Sequence, residues 1–236
     1  MSSPDQNPND LPKYVQISEL LIRDIAAGRL LDGERLPPER DMAENLHTSV
    51  GTLRKSLKIL EQKGMLQRIH GSGNYIRHGV KDDSYYAMFR IELLDGGGLP
   101  RADVLDVSIM DKPDDLPQFG TSPRGSRVRR LRYLNDTIIA VEEIWLDAGA
   151  GLVDKNALSD SLYHYYQKKL GFWIHRAEDR VTIANVPDWA PEKFTLCAGA
   201  TTAFIERFSW SDAPAPIEYS RTWFDTTRAH YVQRLK

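Results

Sequence analysis

The chain has 236 residues, 41% of them hydrophobic and 27% charged, the balance of an ordinary globular protein with room for two modest domains. No apolar run is long enough to span a bilayer, and the single cysteine, Cys197, excludes an internal disulfide or a cysteine-rich metal site. A net charge of −2 would argue against a nucleic-acid partner if it were evenly spread, but residues 49–78 carry 6 basic side chains against one acid, and the segments on either side are net acidic. Screening limits the reach of distant charges, so this local cationic segment decides the attraction to a polyanion.

Residues 1–10 are polar and rich in Asn, Asp and Pro. They are expected to be a flexible tail and not a signal peptide, with the protein in the cytoplasm. A first helix is predicted over 14–27, where Ile17, Leu21 and Ile25 fall four apart and Gly28 follows as a stop. A second is predicted over 38–46, with Pro38 at its first position and Glu39 at the positive end of its dipole. After a His47-Thr48 turn, Ser49 is placed to cap a third helix.

On that third helix Leu53, Leu57 and Leu60 form one stripe, while Gly51, Arg54, Lys55 and Lys58 occupy the opposite face, which has donors and no acids. Gly51 would let the helix backbone approach a groove closely. A basic face by itself is also what an ordinary solvated helix carries. The following segments, 66–69 and 74–77, read as strands around Gly71-Ser72-Gly73, with Arg68, His70, Arg77 and His78 near the tip. In this order the elements predict a winged helix-turn-helix that binds double-stranded DNA. Its candidate contacts are Arg40, Ser49, Val50, Gly51, Thr52, Arg54, Lys55, His70, Gly71, Ser72 and Gly73.

Beyond a linker at 79–84 the texture becomes alternating, over 88–93, 104–110, 128–134, 138–146, 174–183, 203–210 and 217–224. Helices are predicted over 159–170 and 187–197. Mostly sequential strands with two helices predict an α+β, largely antiparallel sheet domain over 85–236. The whole chain then reads as a mixed α/β protein of two domains, the first spanning 11–78.

Arg130 and Arg132 share a strand face, so two guanidinium forks can converge on an anion. Ser159 and Ser161 lie at a predicted helix start, where N–H groups also favour negative charge. Glu142 and Glu218 are suited to accept from ligand hydroxyls or an amine. Structural ion pairs between neighbouring strands use the same residue types, so both readings stand. His164 and His175 lack metal-helix spacing and there is no Gly-x-Ser-x-Gly, so no enzymatic activity, metal or cofactor is expected. Cys197 is expected to pack.

Residues 13–77 resemble the winged helix-turn-helix of the GntR family of bacterial transcription regulators. The resemblance rests on Leu36-Pro37-x-Glu39-Arg40, Thr52-Leu53-Arg54-Lys55-x-Leu57, Gly64-Met65-Leu66 and Gly71-Ser72-Gly73. It implies that Arg40 contacts DNA, that Ser49, Thr52 and Arg54 enter the major groove, and that Gly71 and Gly73 reach the minor groove. Val50 and Gly51 depart from the basic or larger polar residues that many members place there.

Residues 84–235 resemble the UTRA ligand-binding domain of the HutC-type branch, a fold similar to chorismate lyase. Here the matching residues are Arg130-Leu131-Arg132, Ala140-Val141-Glu142-Glu143-x-Trp145-Leu146, Ser161-Leu162-Tyr163 and Glu218-Tyr219-Ser220. This resemblance adds Phe89, Arg90, Arg176 and Tyr219 to the ligand candidates. The function it implies is a repressor that binds a palindromic operator as a homodimer, under the control of a small anionic metabolite. The alternative is a chorismate lyase-like enzyme with a DNA-binding appendage.

Overall fold

Apolar residues at helical spacing give three helices in the first third of the chain. The computed structural model describes residues 11–77, 85–86, 88–158 and 161–234. The tail, His78, the linker 79–84 and Ser159 lie outside the described residues. The chain divides into two units, one of Leu11–Ile91 with Gly97–Leu99 and residues 231–234, the other of Glu92–Gly96 and Pro100–His230. Among the described residues no helix is long and apolar enough to cross a membrane.

In the first unit, α1 (Lys13–Ala26) buries Ile17, Leu21, Ile22 and Ile25. It stops where Gly28 takes a left-handed φ of 71°. The short α2 (Glu39–Asn45) follows Pro38 and carries Glu39 and Asp41 in its first turn. His47 adopts a φ of 46° in the turn before α3 (Val50–Gln62). Ser49 caps α3, its Oγ accepting from the Thr52 N–H at 3.1 Å.

The α3 stripe of Leu53, Leu57 and Leu60 is fully buried against Ile17, Leu21, Ile25, Leu36, Met42 and Ile76. An antiparallel hairpin of β1 (Leu66–Ile69) and β2 (Gly73–Ile76) completes the wing. Arg35 bridges Tyr75, adding a third edge that sequence periodicity does not show.

The second unit centres on a six-stranded antiparallel sheet. Its strands are β4 (Pro100–Asp111), β5 (Arg124–Leu134), β6 (Thr137–Asp147), β7 (Arg176–Asn185), β8 (Thr201–Trp210) and β9 (Glu218–Phe224). Their spatial order is β4-β5-β6-β9-β8-β7. The strand predicted over 88–93 shortens to β3 (Ile91–Leu93), which pairs with β10 (Ala229–Tyr231) in a separate two-stranded sheet.

Side chains alternate along each strand, so residues paired across the sheet share a face. One face is apolar and aromatic, with Leu131, Val141, Phe204 and Trp223 in one cluster and Trp145, Phe208 and Tyr219 in another. The opposite face collects Arg130 with Glu142, Ser220 with Arg207, and Glu218 with Ser209.

The helix predicted over 187–197 does not form; the segment is a series of turns. Pro191 disfavours helical geometry at Ala190, and the backbone closes local turns instead, Ala190 N–H to Pro187 O and Phe194 N–H to Pro191 O. Its apolar side chains are used all the same, since Val186, Trp189, Phe194 and Leu196 pack on the Trp223 cluster. Cys197 is exposed, contrary to the expectation that it packs. The other predicted helix appears as α4 (Leu162–Tyr165), continued by a π-helical turn, Tyr166–Leu170, and closed by Gly171 at φ 76°.

Leu57→Ala is expected to destabilise the first unit by about 2–5 kcal/mol, because a fully buried side chain leaves a cavity behind. Urea denaturation followed by circular dichroism checks this; an unchanged first transition contradicts the placement of the α3 stripe.

Candidate functional site

Burying the leucine stripe turns Arg54, Lys55 and Lys58 outward, and all three are exposed. A groove of about 700 Å³ runs beside Arg54, lined by Arg35, Leu36 to Glu39, Arg54 and the wing from Arg68 to Asn74. Among the described residues, the side chains of Arg35, Arg40, Lys55 and Lys58 have no ion-pair or hydrogen-bond partner. Exposed cations without internal partners remain available to phosphate.

The α3 face carries no acid of its own, but a neighbouring helix brings one to it. Glu39 reaches it from α2, and its Oε2 accepts from Arg54 Nε at 2.6 Å. The Arg54 hydrogen bond, helped by one from Asn74 and opposed by partial burial, holds the Glu39 carboxyl below its ordinary 4.5. Two wing cations are also engaged, Arg68 with Glu61 at 3.4 Å and Arg77 with the Gln67 side chain at 2.6 and 3.0 Å.

Ser49 and Thr52 face each other, Oγ to Oγ1 at 2.9 Å, at the exposed start of α3. Val50 is half-buried against the core. Gly51 is open, since a Cβ there would meet nothing closer than Ser49 Oγ at 3.8 Å. In the wing Gly71 and Gly73 take φ of 72° and 128°, and Ser72 bonds the Tyr75 hydroxyl at 2.7 Å. A Cβ on Gly73 would lie 3.1 Å from Arg35 Nε. Arg35 therefore belongs to the groove, although no periodicity singles it out. Its only signal in the sequence is adjacency to Leu36-Pro37.

In the second unit the polar sheet face holds a cluster of buried charges. Glu142 pairs with Arg130 and lies 3.5 Å from Arg132, all three nearly inaccessible. Burial would raise the Glu142 carboxyl, but the two guanidinium groups outweigh it and hold it low. Arg207 is clamped on Asp179 through Nε at 2.5 Å and Nη2 at 2.7 Å.

Glu218 accepts from the hydroxyls of Tyr166 at 2.6 Å and Ser209 at 2.7 Å, with the Tyr163 hydroxyl at 3.4 Å. Burial pushes its carboxyl up, an effect that those hydroxyls and Arg207 only partly offset. Burial likewise raises Tyr163 and Tyr166, which keeps both as neutral donors. Ser161 is buried and caps α4, accepting from the His164 N–H at 3.2 Å.

The structure thus gathers Arg130, Arg132, Glu142 and Glu218 on one face and adds Arg207, Tyr163, Tyr166 and Ser209, which sequence reasoning missed. It does not gather the remaining candidates there. Tyr219 alternates to the aromatic face beside Phe208, at a ring separation of 5.1 Å. Arg176 pairs across the sheet with Trp210, on that same aromatic face, and stacks on its ring at 4.1 Å. Phe89 and Arg90 fall in the unit of the winged helix, with Arg90 Nε donating to Gln233 Oε1 at 3.0 Å.

A winged helix with a cationic groove, carried on the same chain as a sheet domain with a buried charged cluster, defines a DNA-binding regulator with a sensory domain. Residues 13–76 match the description "Bacterial regulatory proteins, gntR family" and residues 96–230 match the UTRA domain. The chain is 52% identical over 227 residues to the HTH-type transcriptional regulator SmoD of Agrobacterium fabrum, covering 96% of this chain and 97% of that protein. It is 24% identical over 234 residues to the HTH-type transcriptional repressor NagR of Bacillus subtilis, covering 95% and 96%.

In fold it is similar to the crystal structure described as that of the "possible transcriptional regulator YydK" of Bacillus subtilis, at a TM-score of 0.52 and 21% identity, covering 96% of this chain and 100% of that one. The chain belongs to the GntR family and is a DNA-binding transcription regulator with a UTRA effector-binding domain.

Glu218→Gln is expected to raise the thermal midpoint at neutral pH, because glutamine removes the buried charge while its Oε1 accepts from one hydroxyl and its Nε2 donates to the other. A carboxyl raised on folding gives stability that is complete below its ordinary 4.5 and declines as pH climbs through the raised value. The advantage of the variant should therefore vanish toward acid pH. A difference between variant and wild type that stays the same from acid to alkaline pH contradicts a raised Glu218.

Proposed function

We propose that the protein is a repressor that binds a palindromic operator as a homodimer and is controlled by a small anionic metabolite. The observation that carries the DNA half of this reading is the groove between α3 and the wing, lined by Arg35, Arg54, Arg68 and His70, with Lys55 and Lys58 exposed on the same helix. Arg40 and Arg54 are assigned to base edges, with Ser49, Thr52 and Lys55 on the adjoining phosphates. Gly71, Ser72 and Gly73, with His70, let the wing lie along the minor groove. Two-fold symmetry lets two such heads read two half-sites. The repressor reading is supported by the likeness to NagR, a protein named as a repressor.

The effector site is assigned to the buried cluster of Arg130, Arg132, Glu142 and Glu218, joined by Arg207, Tyr163 and Tyr166, with Ser161 at the start of the helix that carries the tyrosines. Burying so many charges is expensive for a sheet that needs only packing, which supports a ligand-binding role. Three arginines there favour an anionic group, and the carboxylates favour hydroxyls or an amine. Dimerisation is assigned to the sheet domain. At its edge, β7 presents Val181 and Ile183, exposed by 51% and 70%, as an edge open to a second copy does. Control follows if the effector binds better to the conformation whose heads do not match the half-site spacing.

A shift assay on the DNA upstream of the gene, with phosphorylated and carboxylated metabolites added singly, tests the proposal. One metabolite should release the DNA and be recovered unchanged; its turnover would favour the lyase-like alternative, and no response to any would remove the effector. Arg54→Ala should weaken operator binding by about 1–3 kcal/mol at fixed salt. Unchanged affinity would displace Arg54 from the base contacts.

A further inference from the structure

Among the described residues lining the groove, Glu39 is the only carboxylate. On a surface that must attract a polyanion, an ionised acid opposes binding, so its position calls for a reason. Both of its oxygens are engaged: Oε2 accepts from Arg54 Nε at 2.6 Å and Oε1 from Asn74 Nδ2 at 3.3 Å. One side chain at the start of α2 thereby joins the exposed face of α3 to the second strand of the wing. Asn74 is itself buried, and its carbonyl accepts the Leu36 N–H at 2.9 Å, so the anchor behind Glu39 is fixed.

The atom used on Arg54 matters. Its side chain is 63% exposed, and a long exposed arginine ordinarily samples many rotamers. A charge-assisted bond at Nε restricts those rotamers and leaves both terminal amino groups without a partner among the described residues. Those two groups form the end-on fork that matches guanine O6 and N7. A carboxylate bound to that fork would consume it; one bound at Nε leaves it free. The carboxylate also repels phosphate, so an Arg54 held beside it is disfavoured from turning to the DNA backbone.

The geometry points to Glu39 as the positioning residue that gives Arg54 its base selectivity, trading general DNA affinity for preference at one guanine in each half-site. This rests on the reading of Arg54 as a base contact. Glu39 itself touches no base in this account.

Sequence selection from a random duplex library, with the full chain in its wild-type, Arg54→Ala, Glu39→Ala and Glu39→Gln forms, tests it. Wild type should select a guanine that Arg54→Ala no longer selects. Glu39→Ala should lose that preference at the same base pair and at no other, with discrimination falling about tenfold. Its affinity for a scrambled duplex should rise, with a salt dependence steeper by about one released counterion. Glu39→Gln keeps a neutral acceptor and should fall between, which also guards against a folding defect in the alanine variant.

The inference is overturned if Glu39→Ala keeps the guanine that Arg54→Ala loses. It is equally overturned if preference fades evenly at every position together with a lower thermal midpoint, the mark of a merely structural tie. If Arg54→Ala alters no position, the base-contact reading itself fails and the inference goes with it.

Discussion

The DNA-binding unit depends on the burial of one leucine stripe. Once Leu53, Leu57 and Leu60 are committed to the core with Ile17, Leu21 and Ile25, the 3.6-residue period leaves Arg54, Lys55 and Lys58 no direction but outward. Ser49 sets where the helix starts. The same core holds Leu36 and Ile76, so the loop that carries Arg35 and the strand that carries Asn74 are brought to the rim of the same groove. Hydrophobic packing thus arranges a cationic surface on which no apolar atom makes the decisive contact.

The sheet unit shows the complementary constraint, a period of two. Neighbours in sequence go to opposite faces, so Glu218 enters the charged cluster while Tyr219 enters the aromatic one. Residues far apart meet through register: Arg130 sits opposite Glu142, and Ser209 opposite Glu218. The aromatic face is closed by residues 186–196 without a helix, which shows that burial of Phe194 and Leu196 needs only turns of the right length. The polar face keeps its charges buried by pairing them, so that their mutual attraction offsets the cost of leaving water.

Charge in this chain is therefore handled in two ways. The DNA-binding groove is exposed, and its cations owe their value to solvent access and to phosphate. The cluster on the sheet is buried, and its groups owe their value to one another. Glu39 and Arg54 stand between these cases, an exposed pair in which geometry matters more than the modest stability that such pairs contribute.

The sequence by itself determined the class of the protein. Helical spacing over residues 14–27 and 50–62, the Leu-Pro-x-Glu-Arg and Gly-Ser-Gly elements, and alternation in the second half were all legible, because period and turn chemistry are local properties. Only the tertiary structure decided which side chains meet. Glu39 and Arg54 are fifteen residues apart and Glu39 and Asn74 thirty-five, so no window of sequence holds either pair. Arg207 and the two tyrosines join Glu218 through strand order and a short helix, and the turns at 187–197 replaced an expected helix because Pro191 outweighed the apolar spacing. Periodicity tells which side of an element is buried; what it is buried against is set by chain reversals and register, which depend on the whole fold.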